Sequence, residues 1–200
     1  MTITYEFDNS LYLNITNKCA NACEFCLRGN TDTVGNSDSL WLEREPTLSE
    51  IIKDIDKREL SDYPSVVFCG FGEPTERLDE LIEIAKHIKE KSQNTTVRLN
   101  TNGLSDIMHG HPTAEKLHGL IDIVSISLNA PTAEEYDQIC HSKFGLDAFP
   151  AVLAFASNCK QYVPQVILSV VDTIGAEKIA ECKAIAQSIG VNLRVREYIS

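Results

Sequence analysis

No apolar stretch in these 200 residues approaches the ~20 that a helix needs to cross a bilayer, so no membrane span is expected. Basic residues are scarce as well. Against 29 Asp and Glu stand 18 Lys and Arg, a formal net charge of −11. That sign repels phosphate backbones and disfavours broad nucleic-acid binding, although it leaves room for a local basic pocket. Met1 to Asn9 is polar and acidic and has no signal-peptide pattern, which points to the cytoplasm. Internal repeats, low-complexity tracts and linkers are missing too, so 1–200 reads as a single domain. A hydrophobic content of 43% and a length that buries roughly 70% of the unfolded surface leave no need for disulfide staples. The seven cysteines therefore read, in a reducing compartment, as ligands, catalysts or buried thiols.

What is present alternates. Short β-branched runs occur near 11–17, 65–69, 95–101, 121–129, 165–171 and 191–197. Helical patterns lie near 47–59, 77–91, 113–119, 132–141, 146–160 and 176–189, the clearest being Leu78, Leu81, Ile82, Ala85 and Ile88. Thr47 with Glu50, and Thr132 with Glu135, form capping-box patterns. The alternation predicts an α/β fold of about six parallel βα units, too few for a closed eight-stranded barrel.

Several strands alternate apolar with polar residues: Val97 and Leu99 with Arg98 and Asn100, Val124 and Ile126 with Ser125 and Ser127, Leu193 and Val195 with Arg194 and Arg196. Asn14 and Thr16 alternate likewise with Leu13 and Ile15. A sheet covered on both faces shows continuous apolar runs instead. The pattern therefore favours a partial, open barrel with a polar lumen over a flat doubly wound sheet. One long polar stretch, Leu27 to Pro46, contains the only tryptophan, Trp41, and we read it as a substrate lid.

Cys19, Cys23 and Cys26 follow the first strand with the spacing Cys-x3-Cys-x2-Cys. Three thiolates suit an iron–sulfur cubane that keeps one iron open. They also suit a zinc site completed by a fourth Cys or His elsewhere. Cys140, Cys159 and Cys182 stand singly in helical patterns without the spacing of a second cluster, and Cys69 reads as a small buried hydrophobe.

The motif, with Phe25 before its last cysteine, resembles the signature of the radical S-adenosylmethionine superfamily. Later motifs fall in that family's order across the chain. Gly70-Phe71-Gly72-Glu73-Pro74 is similar to its Gly-Gly-Glu-Pro element, with Phe71 in place of the more common glycine. The resemblance implies a [4Fe–4S] cluster on Cys19, Cys23 and Cys26, and S-adenosylmethionine chelated to the open iron. Phe25 would contact adenine, and the turn from Gly70 to Glu73 would receive the methionine ammonium. Asn100, Asn102, Ser127 and Asn129 would hold ribose or carboxylate oxygens, and Val171 would add an apolar adenine contact. All of these lie where strands end, as active sites do in αβ barrels.

Arg98, Arg194 and Arg196 fall on the polar face and are candidates for an anionic substrate or the cofactor carboxylate. Lys18 and Arg28 flank the cysteines. The implied activity is reductive cleavage of S-adenosylmethionine to a 5′-deoxyadenosyl radical that abstracts hydrogen from a metabolite or peptide. An electron donor such as flavodoxin or ferredoxin would feed the cluster. Within the superfamily the chain most resembles the small TatD-associated proteins. A glycyl-radical activase, a 7-carboxy-7-deazaguanine synthase-like enzyme and a non-catalytic iron–sulfur or zinc sensor are the alternatives.

Overall fold

The computed structural model describes residues 1–198. Seven strands form one sheet in chain order: β1 (Thr4–Phe7), β2 (Ser10–Leu13), β3 (Ser65–Phe68), β4 (Thr96–Thr101), β5 (Ile123–Ser127), β6 (Gln165–Val171) and β7 (Asn192–Arg196). β1 and β2 are antiparallel, and each pairing from β2 to β7 is parallel. The helices α1 (Leu48–Ile55), α2 (Leu78–Lys91), α3 (Ser105–His109), α4 (Ala133–Cys140), α5 (Ala148–Cys159) and α6 (Ala176–Ile189) fill the crossovers. Both capping threonines act as expected: Thr47 and Thr132 accept from the backbone N–H of Glu50 and Glu135.

Three elements differ from the sequence pattern. β1 was not expected. It is joined to β2 through Asp8 and Asn9, both left-handed at φ 48° and 58°, the geometry of a tight hairpin turn. β2 ends at Leu13 rather than 17, and the chain then leaves the sheet to form the cysteine loop. The expected helix at 113–119 is only a 3₁₀ turn at Ala114–Leu117, with the short α3 ahead of it.

The period-two alternation sorts the two faces. Leu11, Leu13, Val66, Phe68, Val97, Leu99, Val124, Ile126, Leu168 and Val170 form the main core, buried beneath the helices. In register on the opposite face stand Tyr12, Val67, Arg98 and Ile123, then Ser127, Ser169 and Arg194, then Val171 and Arg196. This face is concave. The charge of Arg194 on β7 acts on Tyr12 of β2, five strands away. A flat sheet would hold those strands about 24 Å apart. The sheet is thus curled but unclosed, a partial barrel.

Candidate functional site at the barrel rim

After β2 the chain wraps through Cys19, Cys23 and Cys26, all free and partly exposed. Its backbone is stitched to the end of α4: Ala22 N–H donates to Cys140 O at 2.9 Å, Glu24 N–H to Ile139 O at 3.0 Å, and Lys143 N–H to Ala20 O at 2.9 Å. Arg28 braces the loop by donating to Asn21 O at 3.0 Å and Asn17 O at 3.3 Å. Its cation also favours the thiolate of all three cysteines. Against it works burial, which pushes the Cys19 thiol up to about 12 and raises Cys26. Lys18 points outward to Glu45 at 3.3 Å.

The glycine turn packs directly on this loop. A Cβ on Gly70 would lie 2.1 Å from Asn14 Oδ1, and one on Gly72 would lie 2.2 Å from Thr16 O and 2.7 Å from Lys18 O. Both positions demand glycine because the chain itself occupies the space, the buried Asn14 side chain at Gly70 and backbone carbonyls at Gly72. Glu73 N–H donates to Lys18 O at 2.7 Å. The Glu73 side chain is 4% exposed. Oε1 accepts from Thr75 N–H at 3.0 Å, Thr75 Oγ1 at 2.7 Å and Thr101 Oγ1 at 2.8 Å, and Oε2 accepts from Asn102 N–H at 2.6 Å. Burial raises its pKa while these donors pull it down. The carboxylate thus locks the turn to the end of β4. Glu73 O accepts from Glu76 N–H at 3.0 Å, and Phe71 O has only a long contact from Arg28 at 3.5 Å, so the carbonyls from Gly70 to Gly72 are what remains to meet a ligand. Phe71 is turned away, packed with Tyr5 and Leu40 in a second small core and against the Trp41 ring at 5.1 Å.

At the end of β4, Asn102 reaches toward the Cys19 sulfur, its Nδ2 at 3.9 Å. Asn100 instead meets Arg98 Nε at 2.9 Å and the Cys69 thiol. Cys69 therefore belongs to the lumen face rather than the core. Ser127 is half-buried on β5, level with Ser169. Asn129 is left-handed, at φ 61°, and its Nδ2 lies 3.4 Å from Cys140 Sγ. Its Oδ1 is buried with no partner, as is Asn21 Oδ1. Phe25 lines a cavity of about 400 Å³ with Ala130, Pro131, Ile174 and Tyr198, a volume within the range of small-ligand sites. Val171 lies at the rim level but not in that lining.

The single cysteine on α4 is what the sequence reading missed. Cys140 sits against Cys23 and receives hydrogen bonds from Asn129 and Tyr136. Tyr136 in turn accepts from Asn21 at 2.9 Å. Sequence spacing carried no signal of a contact so remote. The expected lid is not free either. Asn14 Nδ2 donates to Leu40 O at 2.7 Å, Asn17 exchanges bonds with Leu42, and Thr16 Oγ1 donates to Glu45, so residues 40–46 are anchored.

Among the described residues no three His, Cys, Asp or Glu side chains converge on a point where one metal ion could sit. A zinc ion needs its donors gathered around one centre. A cubane spreads its protein ligands over separate irons, so three thiols on one pinned loop suit a cluster without meeting at a point. The orphaned Asn129 oxygen and the Asn102 amide, both beside the loop, fit a polar cofactor at the same place. The profile of the Radical SAM superfamily matches residues 13–187. The chain belongs to this superfamily.

Its cofactors are accordingly a [4Fe–4S] cluster and S-adenosylmethionine. Among related sequences, the dual-specificity RNA methyltransferase RlmN of Geobacter sulfurreducens is 32% identical over 144 residues, covering 68% of this chain and 36% of that one. Streptococcus suis SuiB, solved with its precursor peptide SuiA, superposes with a TM-score of 0.67 at 16% identity over 92% of this chain and 38% of its own. A radical SAM methyltransferase from Sphaerobacter thermophilus gives 0.55 at 14% identity, over 97% of this chain and 68% of that one. The radical SAM protein thus spans little more than a third of RlmN or SuiB, and what it shares with the two solved structures is the fold.

Proposed function

We propose that Cys19, Cys23 and Cys26 ligate the cluster and that the rim around them binds S-adenosylmethionine. When bound and reduced by an external one-electron donor, the cluster would supply one electron to break a sulfonium C–S bond of S-adenosylmethionine, leaving methionine and a 5′-deoxyadenosyl radical able to take hydrogen from a substrate. The carbonyls of Gly70, Phe71 and Gly72 accept from the cofactor's ammonium, held in place by the Glu73 lock. Asn102 and Asn129 orient polar cofactor atoms beside Cys19 and Cys23, and Ser127 adds a hydroxyl on the lumen side. Phe25, with Ile174 and Pro131, encloses the adenine in the adjoining cavity. Val171 closes the rim below it.

The carrying observation is that motifs from four separate strand ends meet at one rim, tied by Glu73 to both the cysteine loop and β4. A one-electron donor of the flavodoxin or ferredoxin type fits the partly exposed cysteine loop. A reducing, cytoplasmic setting suits the seven unbridged thiols. Anaerobic reconstitution tests the reading. The wild-type protein should take up about four irons per chain and, with reductant, release 5′-deoxyadenosine and methionine. Cys→Ala at 19, 23 or 26 should end both. Tight zinc without iron uptake or cleavage would sink it.

A further inference from the structure

Three guanidiniums face one another across the lumen. Arg98 lies on β4 in register with Val67 and Ile123; Arg194 and Arg196 lie on β7 opposite Ser169 and Val171. None takes part in an ion pair among the described residues. Arg98 has one side-chain bond, Nε to Asn100 Oδ1 at 2.9 Å, while its Nη2 is buried with no partner. Arg196 Nε is likewise buried and unpartnered. The charges that act on Arg98 are those of Arg194, Tyr12 and Cys69, and those on Arg196 are Cys69, Arg194, Cys23 and Arg98, with no carboxylate among them. Burial disfavours the charge on both, and the neighbouring guanidiniums disfavour it further.

A chain with 29 carboxylates and 18 basic residues could readily pair three arginines. Gathering unpaired cations on a partly desolvated surface is costly unless something neutralises them. A guanidinium fork is matched to carboxylate and phosphate oxygens. The cofactor carboxylate does not account for the set. Arg196 stands at rim level beside Val171, whereas the Arg98 backbone lies three residues, about 10 Å of strand, before the end of β4, and one carboxylate with two oxygens cannot satisfy three guanidinium forks. An RNA backbone does not fit either, because the exterior of so acidic a chain repels a polyanion.

We propose that Arg98, Arg194 and Arg196 form an oxyanion subsite in the lumen that takes a phosphate or carboxylate group of a small-molecule substrate. The inference deepens the radical SAM reading and rests on it for the meaning of "substrate".

The test is calorimetric titration of the anaerobically reconstituted protein, at constant ionic strength in chloride, with inorganic phosphate in one arm and acetate in the other. Saturable binding in either arm is expected, and the stronger arm names the group. Arg98→Gln and Arg196→Gln should each weaken it by roughly tenfold or more. Should either variant fail to fold by circular dichroism, Arg194→Gln, at an exposed position, carries the comparison. No saturable binding in either arm, or equal binding by the folded variants, overturns the subsite. So does complete displacement of the anion by saturating S-adenosylmethionine, which would assign the arginines to the cofactor. If the wild-type protein binds the anion but releases no 5′-deoxyadenosine, the radical reading fails and the anion site stands.

Discussion

Glu73 was expected at the cofactor, and its carboxylate is a buried tie between the glycine turn and β4. Each of its four partners donates, so an amide in its place would turn its NH₂ toward a backbone N–H, that of Asn102 or of Thr75, whichever way it is flipped. Glu73→Gln should therefore cost about 1–3 kcal/mol, read as a lower urea midpoint at unchanged slope. The neighbouring glycines act through space rather than through flexibility. In Gly72→Ala the new methyl would meet the Thr16 and Lys18 carbonyls, both parts of rigid backbone. Overpacking of this kind typically costs ~1–3 kcal/mol, and here the strain falls on the cysteine loop. The variant should fold with a lower melting temperature and retain less iron after reconstitution than wild type. These details were out of reach of the sequence, because a glycine allowing ligand approach and a glycine allowing chain approach look alike in one dimension.

The parallel strands were legible because their alternation reports one dry face and one wet one. Arg98 and Asn100, alternating with Val97 and Leu99, placed the lumen correctly. The β1–β2 hairpin was not read, although Asp8-Asn9 between two alternating segments is a turn signal; strands of four residues leave too little pattern. Asn14 shows the limit differently. Alternation placed it with the wet residues, yet it is fully buried, because the long loop folds back over it. Its side chain holds Thr2 O, Leu40 O and Phe71 N–H together. Asn14→Ala would strand these three backbone groups, at about 1–3 kcal/mol for each one that stays dry. Amide exchange should rise at Leu40 and Phe71 while that of α5 stays unchanged. Contacts such as Cys23 with Cys140 were illegible for a simpler reason: only the curl of the sheet and the placement of α4 create them.

Across the molecule, the rim is where separate parts of the chain are joined. The cysteine loop touches α4, the glycine turn touches β2 and β4, and the long loop touches the segment after β7 through Asn30 and Tyr198 at 2.9 Å. A cluster bound there would lock these parts to one another, and binding to the native form alone stabilises it. Removing the cluster with a chelator should lower the melting temperature of the entire fold in a single cooperative transition, measurable by scanning calorimetry. Trp41 lies at one of these joints. It stacks edge-on against Phe71, whose own backbone forms part of the glycine turn, and its indole N–H is bonded to Asp32 at 3.0 Å. Being the sole indole in the chain, it serves as a built-in optical gauge. Its emission should change in step with added S-adenosylmethionine, giving occupancy in real time without a label.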